Sequence, residues 1–493
     1  MTNDTPPEQP ASELRAERRA KLERLRDDGV DPFPHSFDDR TDIAEVRARH
    51  EALEPGAKTD ERYRVAGRIM ARRGHGKAAF LDLRDRTGGI QLHSRADVLG
   101  ASEHEALLGL DLGDIVGVEG AAFKTKTGEL SLGLEGWALL AKTLRPPPDP
   151  YYGLEDIETR YRHRELDLIA NPQTRELFEL RARVIAAIRA WLDERGFLEV
   201  ETPVLQPLYG GALARPFTTH HNALDRDLYL RIATELYLKR CIVGGIERVY
   251  ELGKDFRNEG ISPKHNPEFT MLEWYEAYAD YARAAERTQE LVAFVAQTVL
   301  GTTKIERNGR KIDLAAPWQR VTLREAIMDR TGLDLAARPR REELAAAIDT
   351  EPGPGEGWGK LVDRVLSKLV EPELQDPTFV LDYPIELSPF AKAHRSEEGL
   401  TERWEAFVGG IEIANAFTEL NDPDEQRRRF EQQRDEMARG DEETQPFDEA
   451  YLEALEHGMP PTAGVGLGID RLVMLLTGAR TLREVVLFPA MRS

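Results

Sequence analysis

The stretch 247–275 constrains the fold of this chain more than any other. It is typical of a strand, a polar connection containing glycine and proline, and a second strand. Side chains two apart on a strand share a face. The first strand is therefore expected to present Arg257 and Glu259 together, and the second to present Phe269, Met271, Glu273 and Tyr275. Such a mixture of charges is poor core chemistry, since buried charge needs a partner. It predicts a site for a substrate that carries both phosphate and ammonium groups.

A second informative segment runs from Gly464 to Arg471. Its glycines at 464, 466 and 468 fall on one face of a strand and leave a flat strip against which a planar base could lie. The strand continues into an apolar helix that we expect to end at Gly478. Arg471 stands near the helix start, where free N–H groups favour anions. The phosphate-loop string GxxxxGK[ST] is absent. The strip alone is equally consistent with tight packing, but beside the first segment it favours a nucleotide site.

These two segments resemble motifs 2 and 3 of class II aminoacyl-tRNA synthetases. Motif 1 also has a counterpart, because helical periodicity over 174–193 precedes the strand-like segment Gly196–Pro203. In that family this helix–strand unit forms the dimer interface, so the resemblance implies a homodimer. The apolar residues of 174–210 also outnumber what one helix face needs against its own domain: Leu177, Leu180, Val184, Ile188, Trp191 and Leu192.

Bulk properties suit a large protein of the cytoplasm. A chain of 493 residues, 41% hydrophobic and 31% charged, can form about two to four domains. Cys241 is the only cysteine, so no intrachain disulfide can form and a reducing compartment is expected. No apolar run approaches a membrane span. The polar N-terminus, with Pro6 and Pro7, lacks the apolar region of a secretory signal. We expect no membrane partner.

The net charge of −21 is unfavourable for a polyanionic partner, but the charge is unevenly distributed. Residues 61–98 contain nine Lys and Arg against four Asp and Glu, whereas acidic residues collect over 422–456. This unevenness is open to two interpretations: an ordinary solvated surface, or a basic N-terminal module that binds nucleic acid.

The N-terminal pattern favours the second interpretation. Residues 1–58 are expected to form a helical extension with two helices. Five short strands are then predicted: Tyr63–Met70, Ala78–Leu83, Gly89–His93, Ile115–Phe123 and Leu130–Leu134. They fit a small Greek-key barrel of the OB type, which binds single-stranded nucleic acid through stacking aromatics and a basic groove. The segment Arg72–Phe80 offers both elements. From the residues alone, a core position for Phe80 is at least as good an interpretation.

Several stretches resemble lysyl-tRNA synthetases in particular. They are Val65–Met70, Asp85–Gln91, Arg160–Leu168, Gly210–Phe217 and Phe488–Arg492. The resemblance extends from about residue 60 to the C-terminus. It implies an α+β fold: an N-terminal OB-type β-barrel and a class II catalytic domain built on an antiparallel β-sheet flanked by helices. We expect the barrel at 59–144, a proline-rich linker at 145–170 and the catalytic domain at 171–493, with a helical insertion at about 281–375.

The activity that this resemblance implies is the ATP-dependent conversion of L-lysine to lysyl-adenylate, followed by transfer to the 3′ end of tRNA(Lys). The implied catalytic residues are Arg257, which bridges the lysine carboxylate and the α-phosphate, and Arg471, which holds the γ-phosphate. Arginine suits both positions because its planar fork binds carboxylate and phosphate bidentately. The other implied ATP-binding residues are Glu259, His265, Asn266, Phe269 and Gly468. The lysine-binding residues, besides Arg257, are Gly211, Glu235, Glu273, Tyr275, Asn415, Phe417 and Glu419.

The resemblance also implies a magnesium site and an anticodon site. Magnesium prefers hard oxygen ligands, and the implied ligands are Glu405 and Glu412. Taken alone, either glutamate is better explained as an ordinary surface residue in an ion pair. Glu412 is out of phase with residues 415, 417 and 419, so a bulge is required between 412 and 415. The implied anticodon-binding residues are Arg73, Phe80, Gln91 and Glu129, with Phe80 stacking on the middle uridine.

Two small departures and three alternatives qualify the resemblance. Neighbouring lysyl enzymes often have glycine where this chain has Ala414, and proline where it has Thr234.

The aspartyl and asparaginyl relatives share the barrel and the motifs, but an aspartate pocket needs cations, and the predicted lysine-binding set has none apart from Arg257. An RNA-binding or signalling protein without catalysis predicts damaged motifs, yet the motif residues are present. A truncated paralogue that lysylates a protein instead of tRNA would lack the barrel, whereas this sequence predicts one.

Overall fold

The computed structural model describes residues 9–74, 76–148, 153–212, 214–353, 356–438 and 446–491. The chain divides into two compact units, Met1–Pro172 and Gln173–Ser493. Among the helices of the described residues, none is long and apolar enough to cross a membrane.

The first unit contains a closed five-stranded barrel. Its strands are β1 (Lys58–Arg73), β2 (Ala78–Arg84), β3 (Gly89–Arg95), β4 (Ile115–Lys124) and β5 (Leu130–Ala141), and neighbours follow the order β1-β2-β3-β5-β4. Burial alternates along β2, with Ala79, Leu81 and Leu83 inside. The alternation that predicted the barrel is therefore confirmed.

The helices of the first unit are α1 (Gln9–Asp27), α2 (Ile43–His50), α3 (Ala96–Leu99), α4 (Ala101–Gly109), α5 (Ile157–Arg162) and α6 (Arg164–Ala170). The two that precede the barrel, α1 and α2, pack on it. Ile43 and Val46 of α2 are fully buried among the barrel residues. Arg18 of α1 donates a hydrogen bond to Thr143 Oγ1 at 2.9 Å. The predicted extension therefore shares the core of the barrel.

The second unit is built on an eight-stranded sheet in the order β14-β15-β16-β17-β18-β11-β10-β6. The strands of this unit are β6 (Leu198–Glu199), β7 (Leu205–Gln206), β8 (Thr218–His221), β9 (Arg226–Leu230), β10 (Arg248–Phe256), β11 (Glu268–Ala277), β12 (Lys304–Arg307), β13 (Arg310–Asp313), β14 (Gln319–Thr322), β15 (Thr378–Pro384), β16 (Leu400–Val408), β17 (Ile411–Thr418) and β18 (Thr462–Gly468). The six central strands are antiparallel as predicted, but β14–β15 and β10–β6 pair in parallel at the two edges.

Helices cover the sheet and complete its core. They are α7 (Pro172–Asp193), α8 (Glu235–Val243), α9 (Tyr281–Leu300), α10 (Leu323–Thr331), α11 (Arg341–Ala347), α12 (Trp358–Val365), α13 (Pro423–Ala438), α14 (Glu449–Glu456), α15 (Ile469–Thr477) and α16 (Leu482–Val485). The predicted helix over 174–193 is present as α7. Its apolar residues do not form a surplus, because Val184, Ile188, Trp191 and Leu192 are buried in the core of their own unit. Leu177 and Leu180 pack against the same core. For Val184, Ile188, Trp191 and Leu192 the interpretation as a dimer face is therefore wrong.

The segment 281–375 is not purely helical, contrary to expectation. It includes the hairpin β12–β13, and β14 joins the edge of the main sheet. Its helices share a second core with β15 and β16 of the main sheet, in which Leu323, Leu344 and Leu361 are fully buried. Asp363 of α12 reaches the cavity described below, which the sequence did not predict.

Candidate active site

A cavity of about 430 Å³ lies over the central strands of the second unit. Every residue that the sequence predicted for ATP, lysine or magnesium lines it: Gly211, Glu235, Arg257, Glu259, His265, Asn266, Phe269, Glu273, Tyr275, Glu405, Glu412, Asn415, Phe417, Glu419, Gly468 and Arg471. These residues come from segments more than 200 positions apart, and the sheet brings them together.

The glycine strip of β18 forms the floor of the cavity. Directly paired residues of antiparallel strands project to the same face. Gly464 pairs with Tyr275 and Gly466 with Glu273, both on β11. On the other side of β18, Gly464 pairs with Phe417 of β17. Small residues in the middle strand therefore leave space between the larger side chains of its two neighbours.

Arg257 and Glu259 lie beyond β10, which ends at Phe256, so their predicted place on a strand is wrong. The Arg257 N–H still donates to Pro267 O at 2.9 Å, but the Glu259 N–H turns back to Arg257 O at 2.8 Å. This tight turn ends the pairing and carries both side chains into the loop between β10 and β11. Both still line the cavity. The Arg257 guanidinium lies 5.0 Å from the ring centroid of Phe269, a cation–π distance.

Arg471 stands in the first turn of α15 as predicted, and α15 ends at Thr477 with Gly478 as its left-handed C-cap. Its guanidinium donates to the main-chain and side-chain oxygens of Glu412, each at 2.9 Å. The predicted bulge is confirmed, because Ala406 pairs with Ala414 and Phe407 with Glu412, which leaves Ile413 unpaired. This extra residue turns Glu412 toward the cavity.

Glu405 lies on the neighbouring strand β16, where it pairs with Asn415 of β17. It forms an ion pair with Arg403, and the Tyr383 hydroxyl donates to its Oε2 at 3.0 Å. Burial, together with the nearby Glu412 and Asp363 carboxylates, raises the pKa of Glu405 to about 7 despite Arg403. Glu405 and Glu412 thus supply carboxylate oxygens of the kind that Mg²⁺ prefers. Among the described residues, no three His, Cys, Asp or Glu side chains are arranged to hold a metal by themselves.

Glu273 and Tyr275 lie at the acidic part of the cavity. Both side chains are buried, and the Tyr275 hydroxyl donates to Glu273 Oε2 at 3.3 Å. Burial raises the pKa of Glu273 to about 8, and the Asp255 and Glu235 carboxylates add to that effect. The Thr234 N–H donates to Glu273 Oε1 at 3.3 Å. A proline at position 234 could not make this bond.

Lys239 is a functional candidate that the sequence did not suggest. It is fully buried on α8, one turn after Glu235, and its Nζ lies 2.5 Å from Glu235 Oε1. It also forms an ion pair with Glu419. From the sequence alone, Glu419 could also simply pair with a nearby arginine, but in the structure the cation that it pairs with is a lysine. The spacing i, i+4 indicated the contact with Glu235, but nothing in the sequence indicated Glu419.

The predicted lysine-binding residues include no cation apart from Arg257, but the structure places two further cations beside them. Lys239 lies behind the lining residues Glu235 and Glu419, and Arg403 lines the cavity itself and donates to Asn415 Oδ1 at 3.2 Å. Both cations are already engaged by carboxylates, Lys239 by Glu235 and Glu419, and Arg403 by Glu405. Neither Lys239 nor Arg403 is therefore a free cation for the acidic side chain of a substrate.

Two glycines are required by close approach at this part of the cavity. A Cβ at Gly464 would collide with Glu419 Oε1 and the Tyr275 ring. Gly211 has φ +89° and its Cβ would lie 2.9 Å from Glu235 Cβ. A side chain at either position would displace the carboxylates that line the cavity.

A groove of about 840 Å³ on the barrel is lined by the predicted anticodon residues Arg73, Phe80, Gln91 and Glu129. Phe80 is half-buried, lies outside the barrel core and stacks on His93, with ring centroids 4.6 Å apart. The core interpretation of Phe80 is therefore wrong. Arg73 forms an ion pair with Asp82 at 2.9 Å.

Comparisons with known proteins agree with this geometry. The family described as tRNA synthetases class II (D, K and N) matches residues 156–492, and an OB-fold nucleic acid binding domain matches residues 63–140. A lysine–tRNA ligase of Pelotomaculum thermopropionicum is 51% identical over 98% of this chain and 96% of its own length. Those of Moorella thermoacetica and Synechococcus sp. (strain CC9311) are 51% and 50% identical, over 98% of this chain and 98% and 99% of their own lengths.

Proposed function

This chain belongs to the class II tRNA synthetases and, within them, to the lysine–tRNA ligases; from that premise we propose that it activates L-lysine with ATP and transfers it to tRNA(Lys) in the cytoplasm. The observation that carries the substrate assignment is a single cavity that combines Arg257 and Arg471 with the buried carboxylates Glu273 and Glu419. The arginines suit phosphates. The carboxylates suit an ammonium group that must leave water.

In the first step, a carboxylate oxygen of lysine forms a bond to the α-phosphorus of ATP and pyrophosphate leaves. Arg257 lies beside Phe269, where it can contact the substrate carboxylate and the α-phosphate together. Phe269 and Arg471 are proposed to enclose the adenine, with Glu259, His265, Asn266 and Gly468 completing the ATP site. In the second step, a hydroxyl of the tRNA 3′-terminal ribose attacks the lysyl carbonyl and AMP leaves. The protein contributes positioning and charge stabilisation, without a covalent nucleophile.

The lysine site follows from the acidic part of the cavity. Glu273, Tyr275 and Glu419 are proposed to receive the ε-ammonium group, and Glu235 and the Gly211 carbonyl the α-ammonium group. Asn415 and Phe417 would line the aliphatic stem. Glu405 and Glu412 would hold Mg²⁺ together with the phosphates of ATP, and the ion would neutralise charge on the phosphate oxygens. Both glutamates fit this role because they line the same cavity as Arg257 and Arg471, the arginines proposed to bind the phosphates.

ATP–pyrophosphate exchange with each of the twenty amino acids tests the proposed function. Lysine should support exchange well above the other nineteen, and tRNA(Lys) should then accept lysine in a charging assay. Strongest exchange with aspartate or asparagine would assign the chain to one of the neighbouring specificities. No exchange with any amino acid would support a protein that keeps the fold without the reaction.

Substitution of Phe80 by alanine is expected to weaken tRNA charging by about 1–3 kcal/mol, the usual contribution of one stacked base. The ring is half-buried on the outer side of β2 and lines the barrel groove. Lysine-dependent exchange needs no tRNA and should be unchanged. Phe37→Ala is the matched control, since Phe37 is also a half-buried aromatic of this unit but does not line the groove. An equal loss of exchange and charging in Phe80→Ala would contradict the anticodon assignment.

We also propose a homodimer formed through the 174–210 segment. Since the helix residues are packed in their own unit, the support for the dimer is the exposure of three apolar side chains of this segment, Leu198 (52%), Val204 (41%) and Leu205 (46%). Neighbouring exposed apolar side chains are typical of protein–protein contacts. Sedimentation or light scattering at micromolar concentration should give twice the chain mass of 55.6 kDa. Leu198→Glu with Leu205→Glu should shift the protein toward monomer, whereas Val98→Glu, an exposed apolar position on the barrel unit, should not. A monomeric mass for the unmodified protein would exclude the dimer.

A further inference from the structure

The buried Lys239 ammonium connects two carboxylates that belong to different parts of the fold. Glu235 begins α8, and Glu419 follows the end of β17. Lys239 Nζ lies 2.5 Å from Glu235, pairs with Glu419 and lies 5.0 Å from the ring centroid of Phe390. Glu235, Glu419 and Phe390 line the cavity, whereas Lys239 does not. The ammonium therefore contacts the two carboxylates on the side away from the cavity, and their other sides face the cavity.

We propose that Lys239 is a positioning residue for lysine recognition, which fixes Glu235 and Glu419 and sets the charge of the part of the cavity that receives the two ammonium groups of the substrate. The proposal rests on the proposed function, which assigns Glu235 to the α-ammonium group and Glu419 to the ε-ammonium group. It extends that assignment, because the binding of both substrate ammonium groups then depends on one buried cation.

The charges at this part of the cavity support the proposal. Glu235, Glu273 and Glu419 provide three carboxylates against the single ammonium of Lys239. If all are ionised, two negative charges remain for the two ammonium groups of a lysine molecule. The other titratable or charged groups that face this cluster are Tyr275 of β11, Tyr451 of α14, Asp255 of β10 and Arg403 of β16. Asp255 and Arg403 already have ion-pair partners in Arg231 and Glu405.

Removing the ammonium should leave two buried carboxylates without their cation. Burial already raises the pKa of Glu419 to about 8 although Lys239 lowers it. Without Lys239 this pKa and that of Glu235 should rise further, so both carboxylates would ionise only at a higher pH than in the unmodified protein. A substrate ammonium group would then have to displace a proton. Because the carboxylates ionise as the pH rises through their pKa, lysine binding should recover toward alkaline pH.

The test is the lysine KM in ATP–pyrophosphate exchange by the full chain, measured between about pH 6.5 and pH 9. Lys239→Met should raise the lysine KM at least about tenfold at pH 7, equivalent to one pKa unit, and the KM should fall more steeply with pH than in the unmodified protein. The KM for ATP should stay the same. Lys142→Met is the matched control, because Lys142 is another buried lysine that bridges two carboxylates, Asp111 and Asp114, in the first unit. It should lower stability without changing the pH dependence of the lysine KM.

Lys239→Arg separates charge from shape. It should keep the pH dependence of the unmodified protein even if its lysine KM rises, because the guanidinium remains charged. A folded Lys239→Met protein with an unchanged pH dependence would overturn the proposal. If the methionine variant does not fold, an arginine variant with a displaced pH dependence would overturn it equally. Absence of lysine-dependent exchange in the unmodified protein would instead refute the proposed function itself.

Discussion

Replacing Arg257 with glutamine is expected to lower the kcat of lysine-dependent ATP–pyrophosphate exchange by about 10²–10³-fold, the usual cost of removing one preorganised donor to developing negative charge. The Arg257 side chain lines the cavity beside Phe269, and its Nε donates to Ile232 O at 3.4 Å. Two anions meet there when the lysine carboxylate approaches the α-phosphate. A planar, charged fork can contact both, whereas glutamine retains hydrogen bonding without the charge. Because the interaction strengthens toward the transition state, the KM values should change less than kcat.

Arg248→Gln is the control for this prediction. Arg248 begins β10, the strand that leads into Arg257, and forms an ion pair with Glu276 at 3.0 Å. It does not line the cavity. Its substitution should leave kcat unchanged, since it removes an arginine charge from the strand that leads to Arg257 without touching the substrate. An unchanged kcat in Arg257→Gln, or equal losses in both variants, would contradict the proposed role of Arg257.

The parts of this site that sequence predicts well are those that depend on local periodicity. The glycines of β18 share a face because strand side chains alternate, and the structure places them opposite Glu273 and Tyr275 as that rule requires. The bulge at Ile413 was predictable for the same reason. Glu412 was out of phase with its neighbours, and only an additional residue could bring it to the same face.

Local periodicity fails where the backbone leaves its regular path. Arg257 and Glu259 are two residues apart, but the turn at Glu259 ends the strand before either of them. Their common location in the cavity results from the loop, not from alternation. The α7 helix shows a different limit. Its apolar residues, such as Trp191, are numerous because the helix packs on a large sheet that includes Trp274. Counting them could not show whether the partner surface belonged to the same chain.

Contacts among distant segments were the least accessible to sequence reasoning. The ion pair of Lys239 with Glu419 joins positions 180 residues apart, and no spacing rule relates them. Asp363 reaches the cavity from a segment in which no catalytic pattern was visible. In both cases the charge was apparent in the sequence, but its partner was fixed only by tertiary packing.

Glu419→Gln is expected to raise the lysine KM by at least about 30-fold, since removal of the buried partner of a charged group commonly costs about 2–5 kcal/mol. Glu419 is 1% exposed and lines the cavity with Tyr275 and Glu273. Glutamine keeps the shape of the side chain but cannot balance the charge of a substrate ammonium group. The KM for ATP should barely change, because the proposed ATP contacts, such as Phe269 and Arg471, belong to other parts of the cavity.

Glu402→Gln provides a closely matched control for Glu419→Gln. Glu402 is also buried, forms an ion pair with Arg395 and accepts a hydrogen bond from Thr418 Oγ1 at 2.6 Å, yet it does not line the cavity. Its substitution should lower the melting temperature without raising the lysine KM, because it disturbs a buried ion pair that no substrate atom contacts. If Glu419→Gln binds lysine as well as the unmodified protein does, Glu419 does not receive the ε-ammonium group and the lysine site as proposed is wrong. If both variants raise the lysine KM equally, the effect is structural, since Glu419 lines the cavity and Glu402 does not.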